Sequence, residues 1–127
     1  MILGIGLDLI ELERIEKLMT RQKRFAERIL TFNEIHKFEK LQGNRKIEYL
    51  AGRFAAKEAV SKALGSGIGE ELSFQDIEVT NDVSGRPKLV VKNILDKTFH
   101  LSITHTKSYA AAQVVVEETG KNESSSS

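Results

Sequence analysis

The chain has 127 residues, 40% of them hydrophobic and 29% charged, with a formal net charge of +1, the size and balance of one globular domain with no room for a second. It contains no Cys, which excludes disulfides, thiolate–zinc sites and cysteine nucleophiles and, with no signal-like apolar segment, points to the cytoplasm. No apolar run approaches the roughly 20 residues needed to cross a bilayer, so a soluble protein with no membrane partner is expected.

Residues 1–10 alternate Ile5, Leu7 and Leu9 on one face with Gly4, Gly6 and Asp8 on the other, the period of two that predicts a strand. From Glu11 the period lengthens. Leu12, Ile15, Leu18 and Met19 recur at helical spacing, so the strand runs directly into a helix. Between residues 14 and 28 six cations stand against two carboxylates, and this basic helix is expected to face an acidic partner. Thr31-Phe32-Asn33-Glu34 is a capping-box pattern that opens a short helix. The longest helix is predicted over residues 45–64, where Gly65-Ser66-Gly67 supplies the stop. Residues 77–80 and 88–91 are predicted strands around a turn at 81–85, with Pro87 tolerated at a strand start. Residues 101–105 and 110–117 form a final predicted hairpin. The polar residues 118–127, ending in four serines, have nothing with which to build a core and are expected to be a disordered tail. The chain thus reads as a single α+β domain over residues 1–117: an N-terminal strand, a helical block with a long central helix, and a small antiparallel sheet packed on it.

Wound at about 100° per residue, the central helix puts Ile47, Leu50, Ala51, Phe54 and Ala55 in one stripe with Glu58 near its middle. A carboxylate there needs a compensating cation, and either Lys62 one turn on or a metal ion serves. Asp8 shares its strand face with Gly4 and Gly6, whose missing side chains leave space for a ligand; its alternative role is to cap the following helix. Arg53, Lys57, Ser61 and Lys62 are expected on the helix surface around Glu58. Mg²⁺ takes one or two carboxylates and completes its shell with water and phosphate oxygens, so acids and bases around one spot fit a polyphosphate substrate. Gly65-Ser66-Gly67-Ile68-Gly69 follows a helix, whereas a dinucleotide fingerprint follows a strand, so its first role is helix termination. Of the histidines, His36 on a helix and His100 in a loop read as solvated. His105, at a strand end, is placed to reach a cleft as hydrogen-bond donor or general base.

Three segments, Gly4-Ile5-Gly6-Leu7-Asp8-Leu9-Ile10-Glu11, Arg53-Phe54-Ala55-Ala56-Lys57-Glu58-Ala59 and Ser102-Ile103-Thr104-His105, together resemble the bacterial holo-acyl-carrier-protein synthases, small phosphopantetheinyl transferases. The resemblance spans residues 1–117 and implies a phosphopantetheinyl-transferase-like fold. It implies transfer of 4′-phosphopantetheine from coenzyme A to a serine of apo acyl carrier protein, releasing adenosine 3′,5′-bisphosphate, within fatty-acid biosynthesis. It further implies Mg²⁺ on Asp8 and Glu58, and a coenzyme A site lined by Arg53, Lys57, Ser61, Lys62, Gly65, Gly85, Arg86, Pro87, Thr104 and His105. It implies a homotrimer with active sites between subunits. Arg14, Arg21, Arg24 and Arg28 are then the positions expected to dock the acidic carrier. Leu7 departs from the smaller or hydroxylated residue many relatives carry, and the serine tail lies outside the pattern.

The implied chemistry is in-line attack of the carrier serine on the β-phosphorus of coenzyme A, which needs positioning, charge neutralisation and proton removal. Lys62 and its neighbours would neutralise the departing bisphosphate, and Glu58, His105 or a water on the metal would remove the proton. The rival is a non-catalytic adaptor whose basic helix binds nucleic acid or an acidic protein. It explains the cations but gives Asp8 and Glu58 no shared purpose, and base-stacking aromatics near that helix are sparse.

Overall fold

β1 (Ile2–Glu11) passes straight into α1 (Leu12–Arg21) in the computed structural model, which describes residues 1–69 and 71–119. The basic segment is not one helix. α1 stops at Arg21 because Gln22 turns extended, and a five-residue helix α2 (Phe25–Ile29) follows, with Phe25 and Ile29 buried one turn apart. No Pro or Gly marks that break in the sequence. α3 (Phe32–Glu39) opens on the expected capping box: the Thr31 hydroxyl accepts from the Glu34 N–H, and the Glu34 carboxylate accepts from the Thr31 N–H at 2.8 Å. The central helix α4 (Asn44–Leu64) ends at Gly65, whose left-handed backbone at φ 79° suits the absence of a Cβ.

After a 3₁₀ turn at Phe74–Asp76, β2 (Ile77–Asn81) and β3 (Pro87–Val91) form a two-stranded antiparallel ribbon. β4 (Lys97–His105) and β5 (Tyr109–Glu118) form the C-terminal hairpin, β4 starting four residues before the predicted strand. There are two sheets rather than one: β1 joins the hairpin in the order β1-β5-β4, while β2 and β3 stand apart. Glu118, expected in the tail, ends β5 and donates its N–H to Met1 O at 3.0 Å. The tail expectation otherwise falls on residues 120–127, outside the described residues.

In the three-stranded sheet, Gly4, Gly6 and Asp8 pair across β5 with Val116, Val114 and Ala112, and this face packs on α4. A Cβ on Gly4 would sit 2.0 Å from Ala63 O, and one on Gly6 1.9 Å from Ala59 O. The glycines therefore do not leave room for a ligand, as the sequence suggested. They let a helix backbone lie directly on a strand, with Ala59 and Ala63 as equally small counterparts. The other face of β1 is bare: Ile5, Leu7 and Leu9 are exposed. α4 is buried on several sides, since Leu50, Ala51, Ala55, Ala56, Ala59 and Val60 are all fully buried.

Candidate active site

α4 decides where the charged groups go, and its two flanks differ. On the β1 flank the close glycine–alanine packing brings Asp8, Glu58 and Lys62 together. Lys62 Nζ donates to Asp8 Oδ1 at 3.0 Å and to Leu7 O at 3.1 Å. It therefore bridges to the strand and does not form the Glu58–Lys62 pair that helical spacing allows. Among the described residues Glu58 has no ion pair. Asp8 is not a helix cap either: α1 is preceded by Glu11 and has no side-chain cap.

Burial holds the Glu58 carboxyl above the ordinary glutamate range, and the nearby negative charge of Asp8 pushes it further; Lys62 and Arg14 oppose the rise. Two carboxylates thus lie close together, with Lys62 engaged on Asp8 and no cation in ion-pair contact with Glu58 among the described residues. Their oxygens and number suit a hard divalent cation, which takes one or two carboxylates and keeps sites for water and phosphate. No cluster of three or more His, Cys, Asp or Glu side chains with metal-binding geometry occurs among the described residues. Arg14, expected at the docking face, also lies close enough to Glu58 for its charge to act there.

On the opposite flank Lys57 is fully buried, which corrects its expected place among the surface cations. Its ammonium donates to Glu34 Oε1 at 2.6 Å, Ile29 O at 2.7 Å and Phe74 O at 3.2 Å, so its three donors are spent. Burial pushes the ammonium below its usual range and the Glu34 carboxylate opposes that shift. Glu34, legible in the sequence only as half of a capping box, is thus also the partner of Lys57, and its other oxygen accepts from Val79 N–H at 2.7 Å. Ser61 is also buried, its hydroxyl donating to Glu58 O at 2.7 Å.

The remaining candidates fall into separate groups. Arg53 lies over the Tyr49 ring at 4.0 Å, donates to Asn81 Oδ1 at 3.4 Å, and has a buried Nε without a partner. Gly85 and Arg86 close the β2–β3 turn, with Gly85 at φ 88°, and Pro87 opens β3. Thr104 and His105 close β4 on opposite faces; His105 Nδ1 is 3.8 Å from Glu48 Oε2, near the start of α4. Glu48 and Glu58 are ten residues apart on one helix, about 15 Å, so a single chain does not bring His105 to the carboxylate pair. His100 is in β4, not a loop, and pairs with Glu117 at 2.9 Å. Gly65 lines a shallow hollow with Ser66, Gly67 and Ile68 at the end of α4. Arg14 and Arg21 on α1, Arg24 at the entry of α2 and Arg28 on α2 are all exposed.

The model of the 4′-phosphopantetheinyl transferase superfamily matches residues 4–115. The chain belongs to this superfamily. Among its members, holo-(acyl-carrier-protein) synthase from Bacillus velezensis is 62% identical over 117 residues, 92% of this chain and 97% of the relative. The Bacillus subtilis holo-(acyl-carrier-protein) synthase is 59% identical over the same shares. The crystal structure of a holo-(acyl-carrier-protein) synthase from Bacillus anthracis in complex with CoA (3′,5′-ADP) superposes with TM-score 0.86 at 55% identity, covering 93% of this chain and 98% of that one. The Helicobacter pylori holo-(acyl-carrier-protein) synthase in complex with coenzyme A has TM-score 0.78 at 39% identity, covering 89% and 99%. Membership removes the adaptor reading. No helix among the described residues is long and apolar enough to cross a membrane.

Proposed function

We propose that the protein transfers 4′-phosphopantetheine from coenzyme A to a serine hydroxyl of apo acyl carrier protein, with Mg²⁺ as cofactor, in the cytoplasm. The observation that carries the metal assignment is the under-compensated carboxylate pair: Glu58 is held above its ordinary range by burial and by Asp8, with Lys62 beside them. Asp8 and Glu58 would hold the ion, which when bound polarises the diphosphate and neutralises charge on it. The serine oxygen bonds to the β-phosphorus as the bond to the departing adenosine 3′,5′-bisphosphate breaks. Lys62, about half exposed and tethered through Asp8, stabilises that leaving group. Proton removal from the serine falls to Glu58 or His105.

Arg53, Gly65, Gly85, Arg86, Pro87, Thr104 and His105 are assigned to coenzyme A. Lys57 and Ser61 act behind that surface, their donors already engaged. The approximately 15 Å along α4 between His105's partner and Glu58 favours a site shared between copies, one supplying the carboxylate half and a neighbour the His105 half, as in the homotrimer the resemblance implies. The bare Ile5, Leu7 and Leu9 face, exposed in a single chain, supports such an assembly, because contiguous apolar surface of this kind marks an interface. Arg14, Arg21, Arg24 and Arg28 face the acidic carrier.

The experiment is incubation with coenzyme A, Mg²⁺ and apo acyl carrier protein, followed by intact mass of the carrier. A carrier heavier by one phosphopantetheine group is expected; an unmodified carrier overturns the reading.

A further inference from the structure

α2 is too short to hold itself in place. A five-residue helix lies far below the length at which helices persist in water, and after Ala26 O, which accepts from Leu30 N–H at 2.8 Å, its closing carbonyls have no backbone donor. Two side chains from elsewhere take them. Gln75 Nε2, in the 3₁₀ turn before β2, donates to Glu27 O and to Leu30 O, each at 2.7 Å, and lies 3.3 Å from Arg28 O. Lys57 takes Ile29 O at 2.7 Å. A primary amide has two N–H donors, so the two short contacts are its hydrogen bonds and the third is shared. The end of α2 is thereby tied to α4 and to the segment leading into β2.

Lys57 has obvious structural work in its buried pair with Glu34. Gln75 has no comparable partner: it is exposed, and its side-chain hydrogen bonds all go to the end of α2. An exposed amide aimed at three carbonyls of one short helix fixes the orientation of that helix and adds little to the core. The residues α2 presents to solvent include Arg28, with Arg24 at its entry.

We propose that Gln75 is a positioning residue for carrier docking: it holds α2 so that Arg24 and Arg28 meet the acidic carrier in a fixed geometry. This rests on the docking assignment made above. It also assigns Gln75 no part in coenzyme A binding or in the chemical step.

Gln75→Met keeps the length of the side chain and removes both donors; Gln75→Ala serves as a second variant. Steady-state transfer is measured with coenzyme A, Mg²⁺ and apo acyl carrier protein. KM for the carrier should rise roughly threefold to tenfold, while KM for coenzyme A and kcat stay unchanged. In an Arg24→Ala, Arg28→Ala background the Gln75→Met effect should shrink below about twofold, because both groups it positions are gone. A merely structural role would lower the folded fraction and kcat alike and leave the Gln75 and arginine substitutions multiplicative. Multiplicative effects, or an unchanged carrier KM in both Gln75 variants while Arg28→Ala raises it, would overturn the positioning role. If Arg24→Ala and Arg28→Ala themselves leave the carrier KM unchanged, the docking assignment falls, and this inference with it.

Discussion

Lys57 and Glu58 are neighbours on α4, and one is sealed by a complete set of partners while the other is left short of them. Lys57 reaches Glu34 and two carbonyls in the interior, where the pairing is saturated. Glu58 sits beside a like charge, with Lys62 engaged on Asp8. The first arrangement builds the fold, because a fully satisfied buried ion pair ties α4 to α2, α3 and β2. The second costs some stability and keeps electrostatic capacity free for a cation and a phosphate. Adjacent letters of one motif thus serve different ends, and the helical turn of about 100° between them assigns which does which.

Breaking the satisfied side should have the largest effect. Lys57→Met leaves the buried Glu34 carboxylate without its cation and should cost about 3–5 kcal/mol of unfolding free energy, measured by denaturant titration. Adding Glu34→Gln should recover part of that loss, since an uncompensated charge is worse than a neutral pair.

Breaking the other side should separate activity from stability. Asp8→Ala and Glu58→Ala should each lower kcat by about 10² or more, read by carrier mass against time, while unfolding free energy stays within about 0.5 kcal/mol of the parent. A variant with full activity would remove that residue from the site.

Gly6→Ala should disturb the link between the two. Its Cβ would lie 1.9 Å from Ala59 O, so α4 must move off β1, at about 1–3 kcal/mol for overpacking. Transfer should fall as well, because the same movement separates Asp8 from Glu58.

The smallest effect concerns pH. The folded state holds the Glu58 proton above its ordinary value of 4.5, so as pH rises through the window above that value the unfolded chain releases its proton first. Stability should therefore decline across that window, and the decline should be absent in Glu58→Gln, as seen by denaturation midpoints at several pH values.

These contrasts also mark what the amino-acid order reveals. Local signals read well: the Thr31–Glu34 capping box, the Gly65 stop, the β2–β3 turn at Gly85 and the change of period at Glu11 each depend on a few adjacent residues. Spacing alone allows a helix cap at Asp8 and a Glu58–Lys62 pair; what joins Asp8 with Glu58 in the sequence is the order of three motifs. The burial of Lys57 is hidden because a single apolar stripe presumes one buried face, whereas Ala51, Ala55, Ala56, Ala59 and Ala63 around α4 are buried on several. Gly4 and Gly6 suggest space for a ligand, and nothing local shows that a helix some fifty residues later occupies it. The break between α1 and α2 has no Pro or Gly to announce it, and the pairing of β1 with β5 joins opposite ends of the chain.

The role given to Asp8 and Glu58 is tested most directly by titrating Mg²⁺ into the transfer reaction after chelation, with the parent and Glu58→Gln side by side. The parent should be inactive when stripped, recover along a saturable Mg²⁺ curve, and bind Mg²⁺ in calorimetry, while Glu58→Gln should need much more Mg²⁺ and show weaker binding. Full transfer by the chelated parent, or identical Mg²⁺ curves for the two proteins, would contradict the account.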